Sequence, residues 1–178
     1  MAWRPIRTET PRRGSAMSNA NAHSGWKRAV SSTDVLSVVV AAILGSIAFG
    51  IVMSVMLGEI LLEAIPGMYG MAGISPTVAV FVGWIVHVSH GVVLGLIFGL
   101  VLLRFPAYGD DLTRGLAAGI GYGVVLWLVL ATIVMPVWVG VTTPMEPPVP
   151  DWQPWSLVGH VLYGAFLGLL VPLYRRYE

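Results

Sequence analysis

The chain has 178 residues, of which 56% are hydrophobic and 11% charged, with a formal net charge of +1 and no cysteine. Because soluble domains carry about one quarter charged residues, this composition indicates an integral membrane protein, and the small net charge gives no basis for nucleic-acid binding. The lack of cysteine excludes disulfides, thiolate metal sites and thiol catalysis.

Residues 1–32 are polar and basic and show no apolar periodicity. This composition predicts a disordered cytoplasmic tail that precedes a transmembrane domain over residues 33–178. Met17 is an alternative translation start to Met1, and the sequence leaves the choice between them open.

Four apolar blocks follow the tail, at about residues 35–57, 78–103, 116–139 and 155–174. Each is close to the roughly 20 residues that a helix needs to cross about 30 Å of hydrocarbon. The sequence therefore predicts an all-α membrane protein with four transmembrane helices. The first block is too long for a signal-peptide core and lacks a small-x-small cleavage site, which favours a retained helix.

The charged residues indicate how the helices are oriented. All ten basic residues fall on one side of a four-helix arrangement, and the two loops on the other side hold only acids. Basic residues concentrate in cytoplasmic segments, so we expect both termini in the cytoplasm and the protein in a prokaryotic cell membrane. The basic residues are Arg4, Arg7, Arg12, Arg13, Lys27, Arg28, Arg104, Arg114, Arg175 and Arg176.

Two decapeptides in the second and fourth blocks are near copies, identical at six of ten positions: HVSHGVVLGL at 87–96 and HVLYGAFLGL at 160–169. Both helices would run in the same direction, each as the second member of a hairpin. The copies predict two duplicated hairpins, a parallel internal repeat over about residues 35–103 and 114–175.

Glycines recur every fourth residue in both copies, a spacing that lets helices approach closely. The two stripes also place one histidine of each copy on the glycine face, directed into the bundle, with His90 beside the first. The glycines are Gly91, Gly95, Gly99, Gly164 and Gly168, and the two histidines on their faces are His87 and His160.

An ionisable side chain within the membrane is costly, which makes His87, His90 and His160 candidates for function. One hypothesis is axial ligation of haem b by two imidazoles, and another is a copper site assisted by methionine. A third is a response to pH, since imidazole titrates near neutrality. The simplest interpretation is that each histidine donates an interhelical hydrogen bond and stabilises the bundle by about 1 kcal/mol or less.

No nucleotide loop, nucleophile turn, HExxH pattern or membrane carboxylate cluster is present in the sequence, so we expect a protein that is not an enzyme. Transport of a small solute would require four-helix units to associate, and the glycine faces could serve a homodimer or a contact with another membrane subunit.

Four local features add expectations about the third helix and the connections. Pro136 should open the third helix and free a backbone carbonyl near the depth of the histidines. Pro66 and Gly67 should end any helix that continues from the first block, and Asp111 or Thr113 should cap the third helix. The proline-rich segment 142–151 should form an extended cap over the outer face.

The pattern of Trp84, His87, Gly91 and Gly95, echoed by Trp155, His160, Gly164 and Gly168, resembles small uncharacterised prokaryotic inner-membrane proteins of the YagU-like kind. The likeness covers mainly the second and fourth helices. It implies a helical membrane fold and transfers no activity.

Overall fold

A computed structural model describes residues 32–177, and all regular secondary structure in that range is helical. The predicted tail, apart from Ser32, and both candidate start residues lie outside the described residues. Helix α1 (Ser32–Met56) is followed by a π-helical turn (Ile60–Ala64) and the short α2 (Ile65–Met68). Then come α3 (Pro76–Arg104), α4 (Pro106–Gly109), α5 (Leu112–Leu126), a π-helical segment (Trp127–Val134), α6 (Met135–Thr142) and α7 (Pro154–Arg175).

Four helical stretches are long and apolar enough to cross a membrane: Asp34–Met56, Pro76–Arg104, Leu112–Thr142 and Pro154–Arg175, the first to fourth spans. The third span comprises α5, the π-helical segment and α6. The four-helix membrane architecture predicted from the sequence is thus confirmed, whereas the duplication of a hairpin stays a prediction. We call the end that carries the arginines at 104, 114, 175 and 176 the arginine end, and the end with connections 57–75 and 143–153 the loop end.

The spans pack in the order third, fourth, first, second. The fourth span contacts the third on one side and the first on the other, and the first span also contacts the second. In the described part of the chain, the second and third spans share no extended packing face. A gap therefore separates these two spans, and the Tyr122 hydroxyl bridges it at the level of Leu94.

Glycines bring the third and fourth spans into backbone contact. A Cβ atom on Gly119 would lie 2.1 Å from the carbonyl oxygen of Gly164, and one on Gly168 would lie 2.2 Å from that of Gly115. A Cβ atom on Gly123 would lie 2.2 Å from the carbonyl oxygen of His160. Any larger residue at these positions would push the two helices apart, so the glycines fix their separation.

The glycines of the second span face the first span. Cβ atoms added at Gly91 and Gly95 would collide with the side chains of Ser46 and Ala42, and one at Gly99 would lie 3.1 Å from Val38. The glycines of the second span therefore pack against the first span, and those of the fourth span pack against the third.

An ion-pair cluster joins three elements at the arginine end. The Arg175 guanidinium lies 2.9 Å from an Asp34 carboxylate oxygen and 3.6 Å from one of Asp110. The fourth span is thereby tied to the start of the first span and to the short connection after the second. Asp111 accepts a hydrogen bond from the backbone N–H of Arg114 at 2.8 Å, which confirms the predicted cap of the third span.

Proline has different effects in the connection after the first span and in the third span. Pro66 lies in α2, and the helix ends at Met68, one residue after Gly67, close to where the sequence predicted its end. Pro136 has no N–H to offer the carbonyl of Thr132 four residues earlier, and the backbone N–H of Asp151 donates to that oxygen at 2.9 Å.

Candidate functional site

A cavity of about 320 Å³ lies between the spans, toward the loop end. All four spans and both loop-end connections contribute to its wall. Most of the wall is apolar, and the polar groups come mainly from the first, second and fourth spans and from connection 143–153. These polar residues are Ser46, His87, His90, Asp151, Gln153, Ser156, His160 and Tyr163.

His87 binds the first span through its ring. Its Nε2 atom lies 3.0 Å from the carbonyl oxygen of Ser46. A carbonyl oxygen can only accept, so Nε2 must carry the proton, and in a neutral ring Nδ1 is then left as an acceptor. The interhelical hydrogen bond explains why a histidine is tolerated here, and it leaves one ring nitrogen available.

His160 is held within its own span. Its Nδ1 atom lies 2.7 Å from the carbonyl oxygen of Ser156, one helical turn earlier, and 3.4 Å from the Ser156 hydroxyl. By the same reasoning Nδ1 donates, and Nε2 of a neutral ring is an acceptor. Both histidines on the glycine faces therefore line the cavity with one nitrogen each free of these backbone bonds.

Phe49 on the first span connects the two rings. Its ring centroid is 5.1 Å from that of His87 and 4.6 Å from that of His160. The ring packs directly on Gly159, where an added Cβ would lie 1.9 Å from a Phe49 ring carbon. Gly159 therefore makes room for Phe49 beside His160, and one apolar ring contacts both imidazoles.

The Ser46 hydroxyl is a buried polar group without a partner. Ser46 is 1% exposed, and its Oγ atom has no hydrogen-bond partner among the described residues. Hydroxyls in membrane helices normally donate to a carbonyl of the preceding turn, as Ser54, Ser89 and Thr132 do here. The Oγ atom packs against Gly91, where an added Cβ would collide with it, so it is covered by the second span.

Two tyrosines link the second span to the other side of the cavity. The Tyr163 hydroxyl donates to the carbonyl of Gly91 at 2.5 Å, and the Tyr122 hydroxyl donates to that of Leu94 at 2.7 Å. Both acceptors lie deeper than His87, toward the arginine end. These bonds therefore close the cavity on that side.

His90 makes a separate contact, with Tyr69. Its Nε2 atom lies 2.6 Å from the hydroxyl of Tyr69, in the connection after the first span. The Tyr69 ring also contacts the indole of Trp138 on the third span, at 5.6 Å between centroids. Tyr69 thus spans the loop end of the gap between the second and third spans.

Asp151 is the acidic residue of the cavity wall. The backbone bond to Thr132 anchors it, and burial raises the pKa of its carboxyl above the ordinary value. The proline-rich connection therefore reaches down to the cavity and brings a carboxyl group to it.

Among residues 32–177, no three histidine or acidic side chains come together as ligands of one ion. The Phe49 ring contacts both histidines that were named as candidate axial ligands of haem.

Comparisons of this chain with protein-family models, with curated proteins and with solved structures find no match.

Sequence reasoning named the three histidines that line the cavity but missed Ser46, Phe49 and Tyr69. Ser46 and Phe49 lie outside the two near-identical decapeptides, and Tyr69 lies in a connection without a motif. A small-residue pair, Gly45 and Ser46, was the one available signal, because small residues mark close helix contacts.

Proposed function

We propose that this chain is a non-enzymatic multi-pass protein that binds a small, largely apolar molecule inside its bundle. The observation that carries the proposal is the cavity of about 320 Å³, which residues of all four spans line. Its size lies at the lower end of ligand sites in proteins, and an apolar wall with a few polar groups is their usual composition.

Hydrogen bonds already made within the protein support binding rather than catalysis. His87 and His160 each use one N–H on a backbone carbonyl, and the Tyr163 hydroxyl is committed to Gly91. No nucleophile and base pair is evident among these groups. They are suited to orient a ligand, with the remaining ring nitrogens of His87 and His160 as the polar contacts.

The distribution of arginines supports a location in the cell membrane, with the arginine end in the cytoplasm and the loop end outside. The cavity then lies in the outer half of the bilayer.

A filling substitution tests the proposal. Ala131 lines the cavity from the third span, whereas Ala117 on the same span is exposed and lies outside the cavity. We expect Ala131→Phe to abolish saturable binding of an environment-sensitive naphthalene dye to the reconstituted protein, and Ala117→Phe to leave it unchanged. Equal binding by both variants, or no saturable binding by the original chain, contradicts the proposal.

Optical and metal measurements on the same sample separate this function from the haem and copper hypotheses. We expect a preparation made with haem and copper supplied to show no Soret band and no stoichiometric copper. A Soret band that His87→Ala or His160→Ala removes would instead make these residues ligands.

A further inference from the structure

The open side of the bundle shows which phase the cavity faces. Its rim carries Val93 on the second span and Val134 and Trp138 on the third, with exposed fractions of 57%, 43% and 39%. All three belong to stretches that cross the membrane. Exposed apolar side chains at this level contact acyl chains, so the side opening between the second and third spans leads into lipid.

The loop end, in contrast, is covered. Connection 57–75 contributes Leu57, Ile60, Ile65 and Met68 to the wall, and Tyr69 bridges from His90 to Trp138. Connection 143–153 contributes Asp151 and Gln153 and is tied down at Thr132. A molecule dissolved in the membrane thus meets a side opening, while one in water meets two folded connections.

Three side chains of the wall present acceptors. His87 and His160 each donate one ring N–H to a backbone carbonyl, which leaves one acceptor nitrogen per ring, and the Asp151 carboxylate also accepts. The Ser46 hydroxyl is buried against Gly91 and is not a contact for a ligand. Among uncharged polar groups a hydroxyl matches these acceptors, because it can donate to an imidazole nitrogen.

From the position of the opening and the character of these groups, we infer that the ligand is an uncharged, membrane-dissolved amphiphile with a hydroxyl head. It reaches the cavity sideways from the bilayer and places its hydroxyl beside the imidazoles of His87 and His160, with its apolar chain along the opening. This inference rests on the proposed function and specifies the class of ligand.

Photolabelling of the full chain in liposomes tests it. The probe is a hexadecanol that carries a diazirine and an alkyne, and its control is the methyl ether of the same chain, which cannot donate. We expect saturable labelling by the alcohol with an apparent affinity about three- to tenfold above that of the ether, the usual effect of one hydrogen bond. Labelled peptides should contain Val93 or Val134.

Two sets of variants test the hydroxyl head of the ligand and its lateral route of entry separately. His160→Phe should reduce the affinity of the alcohol to that of the ether, and His160→Gln, which retains an acceptor, should restore most of the difference. Val134→Trp should remove saturable labelling, while Val125→Trp, on the lipid-exposed surface of the same span, should not.

Each outcome has a distinct meaning. Equal affinity for alcohol and ether overturns the hydroxyl head while leaving the proposed function intact. Unchanged labelling of Val134→Trp overturns the lateral route. Failure of both probes to label saturably, together with failure of dye binding, overturns the proposed function itself.

Discussion

The backbone N–H of Asp151 donates to the carbonyl oxygen of Thr132 across 2.9 Å, which fastens the loop-end connection to the interior of the third span. The acceptor is available because Pro136, four residues later, has no N–H to fill it. A proline within a membrane helix therefore determines where the loop-end connection is attached, and with it the position of an acidic residue of the cavity.

Substitution of Pro136 tests this attachment. Pro136→Ala adds an N–H that competes with Asp151 for the Thr132 carbonyl. We expect amide exchange at Asp151 to become about tenfold faster, as expected for the loss of roughly one hydrogen bond. Pro144→Ala, in the connection itself, is the control and should leave that rate unchanged. If Asp151 exchanges equally slowly in both variants, proline is not the cause of the attachment.

Burial raises the pKa of Asp151, and this gives stability a pH dependence of known sign. Because the folded pKa exceeds the unfolded one, ionisation costs stability as pH rises through the folded value, and the cost disappears at lower pH. Asp151→Asn, which keeps the backbone bond, should therefore melt at a higher temperature than the original chain at pH 7. The difference in melting temperature between the two proteins should vanish near pH 3. A variant that is less stable at pH 7 would show that the carboxylate has a favourable partner.

Two glycines of α5 make a matched test of helix packing. An alanine Cβ at Gly119 would collide with the Gly164 backbone, whereas nothing lies within 4 Å of one at Gly121. Gly119→Ala should lower the free energy of unfolding by about 1–3 kcal/mol, the usual cost of overpacking. Gly121→Ala should be neutral or stabilise by up to about 1 kcal/mol through helix propensity. Denaturant unfolding in mixed micelles measures both, and similar losses would contradict the backbone contact.

Adjacent arginines allow a test of the ion-pair cluster at the arginine end. Arg175 lies against Asp34, and their side chains are 14% and 15% exposed, while Arg176 is exposed. Arg175→Gln should destabilise the protein by about 1–3 kcal/mol, because it removes a charge-assisted hydrogen bond from a largely buried carboxylate. Arg176→Gln should have no measurable effect. High salt should not lower the stability of the original chain by a similar amount, because burial limits the screening of this ion pair.

Hydropathy and charge were sufficient to predict the number of spans and their approximate limits, because the length of a membrane helix is set by the bilayer. The predicted third block ended at Val139 and the span continues to Thr142, an error of the size expected where apolar and polar residues alternate. The glycine spacing also gave the correct internal faces of the second and fourth spans.

The cavity could not be predicted in this way. Val93 and Val134 are as hydrophobic as residues of a closed interface, so hydropathy does not distinguish a span that packs on its neighbour from one that leaves a gap. The π-helical segment before Met135 and the contact of Phe49 with two histidines depend on how the spans cross. Such tertiary contacts have no local sequence pattern.

The backbone contacts at Gly115, Gly119 and Gly123 have a consequence for motion as well as for stability. They join the third and fourth spans into one stiff unit, and the first span packs on that unit. The second span packs on a single neighbour and reaches the stiff unit mainly through the hydroxyls of Tyr122 and Tyr163. The width of the side opening is therefore set by where the second span sits, and its glycine contacts with the first span and these two hydrogen bonds fix that position.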